Sequence, residues 1–437
     1  MSQNSLTIIV PILQDKVKDL LDYLKHVKTN LGKGIPPEFE KLGTIHYARW
    51  VVIDNGRSYI NDPKKRNPKL IFVVDYDGKQ EDLLNGITTD SADILDKVYG
   101  FCEKYQSNEK HTPESRKKYL EGNIVKDTAV YIGAPGRTVK QVKEERDLRN
   151  AIRAYLDSQT WDLPAKTIHQ KIKDEVLPQF ESLKGTKVTM PRINIVGLVF
   201  IVAILLAVAL LGIKLFGLVF LGVYLCVLLL PIAIWLLILH YFYERKDENF
   251  TLKRSGLDDH FLTDLETYED FKNQNQFSQL VDMKEGKVRL ITIKAMFSLS
   301  KTLISMIFVK GKLMGIPTIH FAKWVMFEDN TRVLFFSNFD GSWQQYLGDF
   351  IDNSGWGLTG IFSNTKVFPK TNFLVTGGAY DEEHFLAWSR NSEVSTNVWY
   401  AAYPELSIKN VNNNTKIRVQ LMKSLSERQA AKFLKLI

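Results

Sequence analysis

The chain has 437 residues, 45% of them hydrophobic, and a formal net charge of +8, enough length for two or three domains. Its two cysteines, Cys102 and Cys226, exclude a disulfide framework. The modest positive charge comes with no recognised nucleic-acid motif, so nucleic acid is not an expected partner.

Leu6 to Ile12 is a short β-prone run. Asp15 to Asn30 follows it with Val17, Leu20, Leu21, Leu24 and Val27 on one helical stripe, so the chain opens as strand then helix. After a Gly- and Pro-rich loop come Thr44 to Asp54 and Leu70 to Gly78, which read as two hairpin strands joined by a basic connection. A helix over Asp82 to Tyr105, another over Pro113 to Glu121 and a strand at Ala129 to Gly133 complete this half. Residues 101 to 192 hold 18 Lys or Arg against 13 Asp or Glu, a placement that suits anionic headgroups. Ile168, Ile172 and Val176 mark an amphipathic helix within 157–192, leading towards the next segment.

That segment, Ile193 to Tyr243, has 51 residues with no acidic side chain and only Lys214 and His240 able to carry positive charge. One straight helix of this length would reach about 76 Å, against a hydrocarbon core of roughly 30 Å, whereas two spans fit it. The sequence therefore predicts a two-helix transmembrane hairpin at 193–243, turning near Gly212 to Gly217, with Pro231 inside the second span. Two spans return the chain to its starting side. Lys184, Lys187, Arg192, Arg245, Lys246, Lys253 and Arg254 flank the hairpin, and by the positive-inside rule both termini are expected in the cytoplasm. The sequons at Asn249 and Asn413 would be inert there.

After a polar linker at 244–286 the first half repeats. Thr318 to Glu328 matches Thr44 to Asp54 at an offset of 274, and Val333 to Gly341 matches Leu70 to Gly78 at 263. The difference is an insertion in the first copy near Asn55 to Pro68. Asn397 to Pro404 aligns with Thr128 to Pro135 at 269. Three blocks in one order indicate duplication. The expected fold class is α+β: two ferredoxin-like βαββαβ copies, 1–156 and 287–437, packed together through their open sheet faces.

Strict alternation puts His46, Ala48 and Trp50 on one face, and His320, Ala322 and Trp324 on the equivalent one. A His and a Trp flanking a small residue can line a pocket for an apolar small molecule or lipid; the plainer reading is a satisfied histidine in a mixed core. His384 is a further ligand-binding candidate. Asp77-Gly78 and Asp340-Gly341 each follow a strand and precede a helix, where Asp accepts backbone hydrogen bonds and Gly eases the turn. The sharper reading makes Asp77 or Asp340 a buried catalytic carboxylate. No Gly-rich phosphate loop or Cys/His metal cluster is present at useful spacing, so no metal site is expected.

The duplicated plan resembles the dimeric α+β barrel superfamily, which includes dye-decolourising peroxidases and chlorite dismutases. Tyr76-Asp77-Gly78 and Phe339-Asp340-Gly341 are similar to the end of the peroxidases' Gly-x-x-Asp-Gly motif. The resemblance implies haem as cofactor, Asp340 as distal acid and His384 as the available ligand. The leading expectation is a membrane-anchored, cytoplasm-facing binding or structural module for an apolar ligand, lipid or partner protein. A haem-dependent peroxidase-like enzyme is the alternative.

Overall fold

The computed structural model describes residues 2–30, 39–55, 66–105, 111–186, 195–248, 262–263, 265–266, 273–306, 313 and 315–437. The Gly- and Pro-rich loop, most of the first-copy insertion, the flanking Lys187, Arg192, Lys253 and Arg254, and the sequon at Asn249 lie outside them. The fold is α+β, with antiparallel sheets.

The first copy supplies β1 (Gln3–Pro11), β2 (Ile45–Ile53), β3 (Lys69–Asp77), β4 (Ile124–Val125) and β5 (Ala129–Ile132). The second supplies β6 (Gln274–Asp282), β7 (Ile319–Phe327), β8 (Arg332–Asp340), a minor hairpin β9 (Thr371–Asn372) and β10 (Thr376–Gly377), and β11 (Thr396–Ala401). The two main sheets run β11-β2-β3-β1-β4 and β5-β7-β8-β6. The first copy's own strands run β2-β3-β1-β4, and the second copy's counterpart of β4 is joined among the described residues by few bonds: Leu280 N–H to Ser392 O, and Val394 N–H to Ser278 O.

The blocks taken from the sequence as the last strand of each copy do something else. β5 pairs with β7 of the second copy, Ala129 opposite Trp324, and β11 pairs with β2 of the first, Trp399 opposite Arg49. Each copy gives a strand to the other's open edge, which satisfies backbone groups that an isolated copy would leave unpaired. Gly133 permits the crossing, since a Cβ there would lie 1.9 Å from Ile319 O.

Helices cover the outer face of each sheet. Val17–Asn30, Gln80–Asp90 and Ala92–Tyr99 pack on the first, and Lys287–Met306 and Trp343–Phe362 on the second. The single helix expected over Asp82 to Tyr105 is divided at Ser91 (φ −114°, ψ 24°) and ends at Tyr99. The inner faces meet through Val51, Ile71, Val73, Val325, Leu334 and Phe336. The amphipathic stripe of Ile168 and Ile172 packs against the body. It is buried at one end of the body with Leu148, Ile152, Ile417 and Phe433.

Between the sheets lies a charged lattice. Arg49 of β2 donates to Gln276 Oε1 (3.2 Å), Phe277 O (2.9 Å) and Ser278 Oγ (3.1 Å), and from its other terminal nitrogen to Ser337 O (3.0 Å) and Asn338 Oδ1 (2.5 Å). Lys323, its counterpart on β7, reaches the opposite way to Ser5 and to Asp75 Oδ1 (3.1 Å). Asn338 closes the circuit by donating to Asp75 Oδ2 (3.2 Å). Burial lowers the Arg49 pKa to about 10, against the pull of Asp75. β6 falls inside the stretch read as a linker because Gln274, Gln276, Ser278 and Gln279 make it polar, and Gln276 and Ser278 serve Arg49. Asp75→Ala would leave two buried cations without their carboxylate, at an expected cost of about 3–5 kcal/mol. The thermal midpoint in detergent should fall by several degrees, and an unchanged midpoint would show the lattice to be dispensable.

The apolar insert forms an antiparallel helical hairpin, Ile195–Phe216 and Leu218–Phe242, reversing at Gly217 (φ 74°). Gly212 leaves room for the Phe220 ring, and Tyr224 Oη donates to Leu205 O (3.3 Å). Two spans were expected. Among the described residues one helix, Leu218–Lys246, is long and apolar enough to cross a membrane, with mean hydropathy 2.7 and none of its most apolar stretch buried, and the apolar run Val202–Phe216 is shorter.

The helix is socketed into the second copy. Glu244, fully buried, accepts from Thr371 Oγ1 (2.7 Å) and from the backbone N–H of Phe373 (2.6 Å) and Leu374 (3.0 Å), and lies 3.1 Å from His240 Nδ1. Asp247 pairs with Arg289 (2.6 Å) and Lys284 (2.8 Å). Burial lowers the Lys284 ammonium from its ordinary 10.5 to about 8, with Asp247 opposing and Arg289 reinforcing. Between those values the unfolded chain binds the additional proton, so this lysine's contribution to stability rises with pH from 8 to 10.5. The midpoint of the wild type minus that of Lys284→Met should therefore increase through this window. A constant difference would refute the assignment.

Candidate functional site

The repeated His-x-Ala-x-Trp segments come to lie where β2 and β7 are irregular. Ile45 pairs with Tyr76 and Tyr47 with Asp75, so His46 is the extra residue of a β-bulge; His320 is the extra residue between Ile319 and Phe321. The bulge breaks the alternation expected from the sequence. Ile45, Ala48 and Trp50 face the helix-side core of the first copy, and Ile319, Ala322 and Trp324 that of the second. The two histidines turn towards the junction between copies. His46 and Trp50 therefore share no pocket, and neither do His320 and Trp324.

At the junction His46 Nε2 lies 3.1 Å from Asp77 Oδ1, and its Nδ1 lies 2.7 Å from the Tyr403 hydroxyl. His320 Nε2 lies 2.7 Å from Asp340 Oδ1. With Nε2–H facing a carboxylate, Nδ1 of His46 is the acceptor for Tyr403. Both histidines are buried, and the Phe321, Tyr47 and Tyr403 rings pack around them. Burial raises the Tyr47 and Tyr403 phenols well above their ordinary value, so both stay neutral.

The second carboxylate oxygens complete a symmetric pattern. Asp77 Oδ2 accepts from Val139 N–H (2.8 Å), and Asp340 Oδ2 from Ile408 N–H (2.7 Å). These amides are the first of the helices Val139–Asp157 and Ile408–Leu421, whose N-caps Thr138 and Ser407 accept from Gln141 and Asn410. A carboxylate at a helix start is favoured by the unpaired N–H groups and by the macrodipole. The Asp-Gly pairs do cap helices, as the plainer sequence reading holds. The helix capped is the one after the exchanged strand, not the one that follows Gly78 or Gly341. Each His–Asp pair thus fastens a helix that leaves the partner sheet back onto its own copy.

The haem constellation suggested by the resemblance is not assembled. Both oxygens of Asp340 are engaged as described. His384 stands in the first turn of the helix Glu382–Asn391, its Nδ1 held 2.8 Å from Asp381 Oδ1. A cavity of about 30 Å³ beside Trp324, lined also by Leu303, Ile304, Phe350, Ser354 and Leu358, includes neither Asp340, His320 nor His384. That volume suits one or two waters, not a macrocycle. The residues present do not fit haem. Among the described residues no three His, Cys, Asp or Glu side chains come together as a metal site.

What the sequence reading missed here is polar and apolar in equal part. Trp324 Nε1 and Ser354 Oγ are buried at this cavity with no hydrogen-bond partner, and the Glu244 socket joins residues about 130 positions apart. No periodicity encodes either. No family model, curated protein or solved structure matches the chain, so the site is interpreted from the internal duplication and the geometry. Asp77→Ala and Asp340→Ala should each destabilise by about 2 kcal/mol through loss of a cap and an unpaired buried histidine, with faster amide exchange at Val139 or Ile408 respectively. Unchanged exchange at those amides would remove the fastening role.

Proposed function

We propose that this chain is a membrane-anchored binding module with its twin-copy body on the cytoplasmic side. In this reading Ile195–Phe216 and Leu218–Phe242 both insert and the termini share one compartment. The observation that carries it is the apolar helix Leu218–Lys246, covered only by its hairpin partner and, at Trp235, Leu239 and Glu244, by the body. A helix with mean hydropathy 2.7 and most of its apolar side chains exposed is unfavourable in water and favourable in hydrocarbon. Tyr241, Tyr243, Arg245 and Lys246 at its body end match the aromatic and basic residues that settle at a headgroup boundary.

The ligand class follows from the Trp324 cavity. It is almost entirely apolar, carries the unpartnered Trp324 Nε1 and Ser354 Oγ, and sits between the helices Lys287–Met306 and Trp343–Phe362. As it stands the cavity holds only a water or two, so a lipid or other apolar molecule with one hydrogen-bond acceptor would enter by parting these two helices. The anchored position gives such a molecule a route from the bilayer.

Impermeant thiol or protease labelling of oriented vesicles should find both termini on one side and the Gly217 turn inaccessible from it; termini on opposite sides would overturn the two-span arrangement. Mass spectrometry of the detergent-purified protein should show a co-purifying apolar molecule whose retention falls several-fold in Trp324→Ala. Retention unchanged by that substitution would place any ligand elsewhere.

A further inference from the structure

We infer that the second copy rests directly on the bilayer, through a rim of exposed apolar side chains and lysines around the base of the anchor, and that the surface it takes is one carrying anionic phospholipid. This rests on the membrane-anchored reading above and adds an orientation to it.

The apolar side chains are unevenly placed. Outside the hairpin, the large hydrophobic residues exposed among the described residues are Leu13 and Leu163, from the first half, and Ile291, Leu299, Trp356, Val375 and Tyr380, all from the second. The five are connected through the socket. Val375, 61% exposed, follows Phe373 and Leu374, whose amides hold Glu244. Tyr380 packs on Gly355, next to Trp356. The helix bearing Trp356 packs through Gly360 on Met296 of the helix Lys287–Met306. Thr292 of that last helix accepts a hydrogen bond from Trp235 Nε1 of the anchor (3.0 Å), beside Ile291, which is 52% exposed.

Trp235 fixes the depth. Counted from Leu218 it stands about 26 Å along the anchor helix, near the far boundary of a roughly 30 Å core and thus at the level where tryptophans settle. Body residues that touch it are at the headgroups.

The charge on the same surface has a matching pattern. Lys287, Lys294 and Lys301 are exposed and seven residues apart, so they form one edge of the helix. Ile291, Ala295 and Leu299, with Ser298 and Thr302 among them, occupy the exposed arc between that edge and Thr292, which faces the anchor. Apolar residues next to the span with lysines beyond them is the arrangement of a helix lying in an interface. Arg245 and Lys246 add two exposed cations, and Glu248 and Glu285 are the exposed acids beside them in sequence, while Asp352 and Asp381 to Glu383 are the exposed acids beside Trp356 and Tyr380. Near an anionic leaflet each basic residue contributes about 1 kcal/mol, so the leaflet preference comes from the lysine edge and the anchor base, not from the part of the rim around Tyr380. The first copy, whose described residues carry no such rim, then stands away from the membrane.

Spin-label accessibility of the full chain in lipid nanodiscs, with and without phosphatidylserine, tests this. The native Cys226, exposed on the hairpin while Cys102 is buried, reports insertion. In a Cys226→Ser background, Ile291→Cys and Val375→Cys report the rim, and Glu81→Cys in the first copy is the aqueous control. With phosphatidylserine the rim labels should be shielded several-fold from a water-soluble nickel chelate relative to the control and open to oxygen. Lys287→Gln, Lys294→Gln and Lys301→Gln together should remove most of that shielding at Ile291→Cys. Rim labels as nickel-accessible as the control, with Cys226 still buried in lipid, would overturn the rim while leaving the anchor intact. Shielding independent of phosphatidylserine and of the lysines would overturn the anionic selectivity. A nickel-accessible Cys226 would overturn the anchor itself, and the rim with it.

Discussion

The arrangement depends on two sheet edges that cannot stay open. In each copy the first hairpin strand ends the sheet, so β2 and β7 alone would expose a row of unpaired amides and carbonyls. The exchanged strands β11 and β5 close both edges at once. Once they do, the copies cannot be pulled apart without breaking strand pairing in both sheets. The buried lattice of Arg49, Lys323, Asp75 and Asn338 then specifies the register between the faces. Lys323 pairs with the one carboxylate there, and Arg49 is satisfied by carbonyl, amide and hydroxyl oxygens of two strands, so that sliding one face over the other would break several of its bonds at once. Apolar contacts between the inner faces provide most of the attraction, while the lattice decides which of many similar packings is taken.

The bulges extend the same logic to the helices. An extra residue in β2 and in β7 turns a histidine from the core face to the seam, where it meets the aspartate ending the next strand. That aspartate spends its remaining oxygen on a helix that has just left the other sheet. Strand exchange and helix return are therefore joined at one carboxylate in each copy. The sites differ in one respect: Tyr403 offers a hydroxyl to His46, and the equivalent first-copy position is Ala134, which has none to offer His320. The duplication has kept the fastening and let the periphery diverge, as expected of a structural element and not of a reacting centre.

The duplication, the fold class, the apolar insert and most elements are legible in the sequence because each is carried by local periodicity or by similarity between distant blocks. The exchange is not, because a strand's own residues do not say which edge it will join; β5 and β11 read equally well as closing their own copies. The face shared by His46 and Trp50 fails for a related reason. A bulge changes side-chain direction by one step and leaves the alternation of residue types intact. β6 escaped notice because its inward side chains are glutamine and serine, chosen for Arg49 and not for burial in an apolar core. The Asp-Gly pairs were assigned the right chemistry and the wrong helix, since capping is a local rule while the partner here arrives from about 60 residues away.

A long apolar insertion between two copies would ordinarily threaten their association, because a flexible connection lets them drift and adds only loop-closure entropy. Here the order of dependence is reversed. The copies hold each other through exchanged strands and their return helices, so the connection bears no load and can project away from the body. The insert then needs a firm joint on one side only, and the structure gives it one, with Glu244, Asp247 and Trp235 all bonded to the second copy. A rigid joint to one half and a strand-exchanged body together fix the first copy in space as well, although it makes none of those contacts itself. Under the proposed anchoring, a hairpin jointed to one half gives the whole body a defined height and tilt above the membrane.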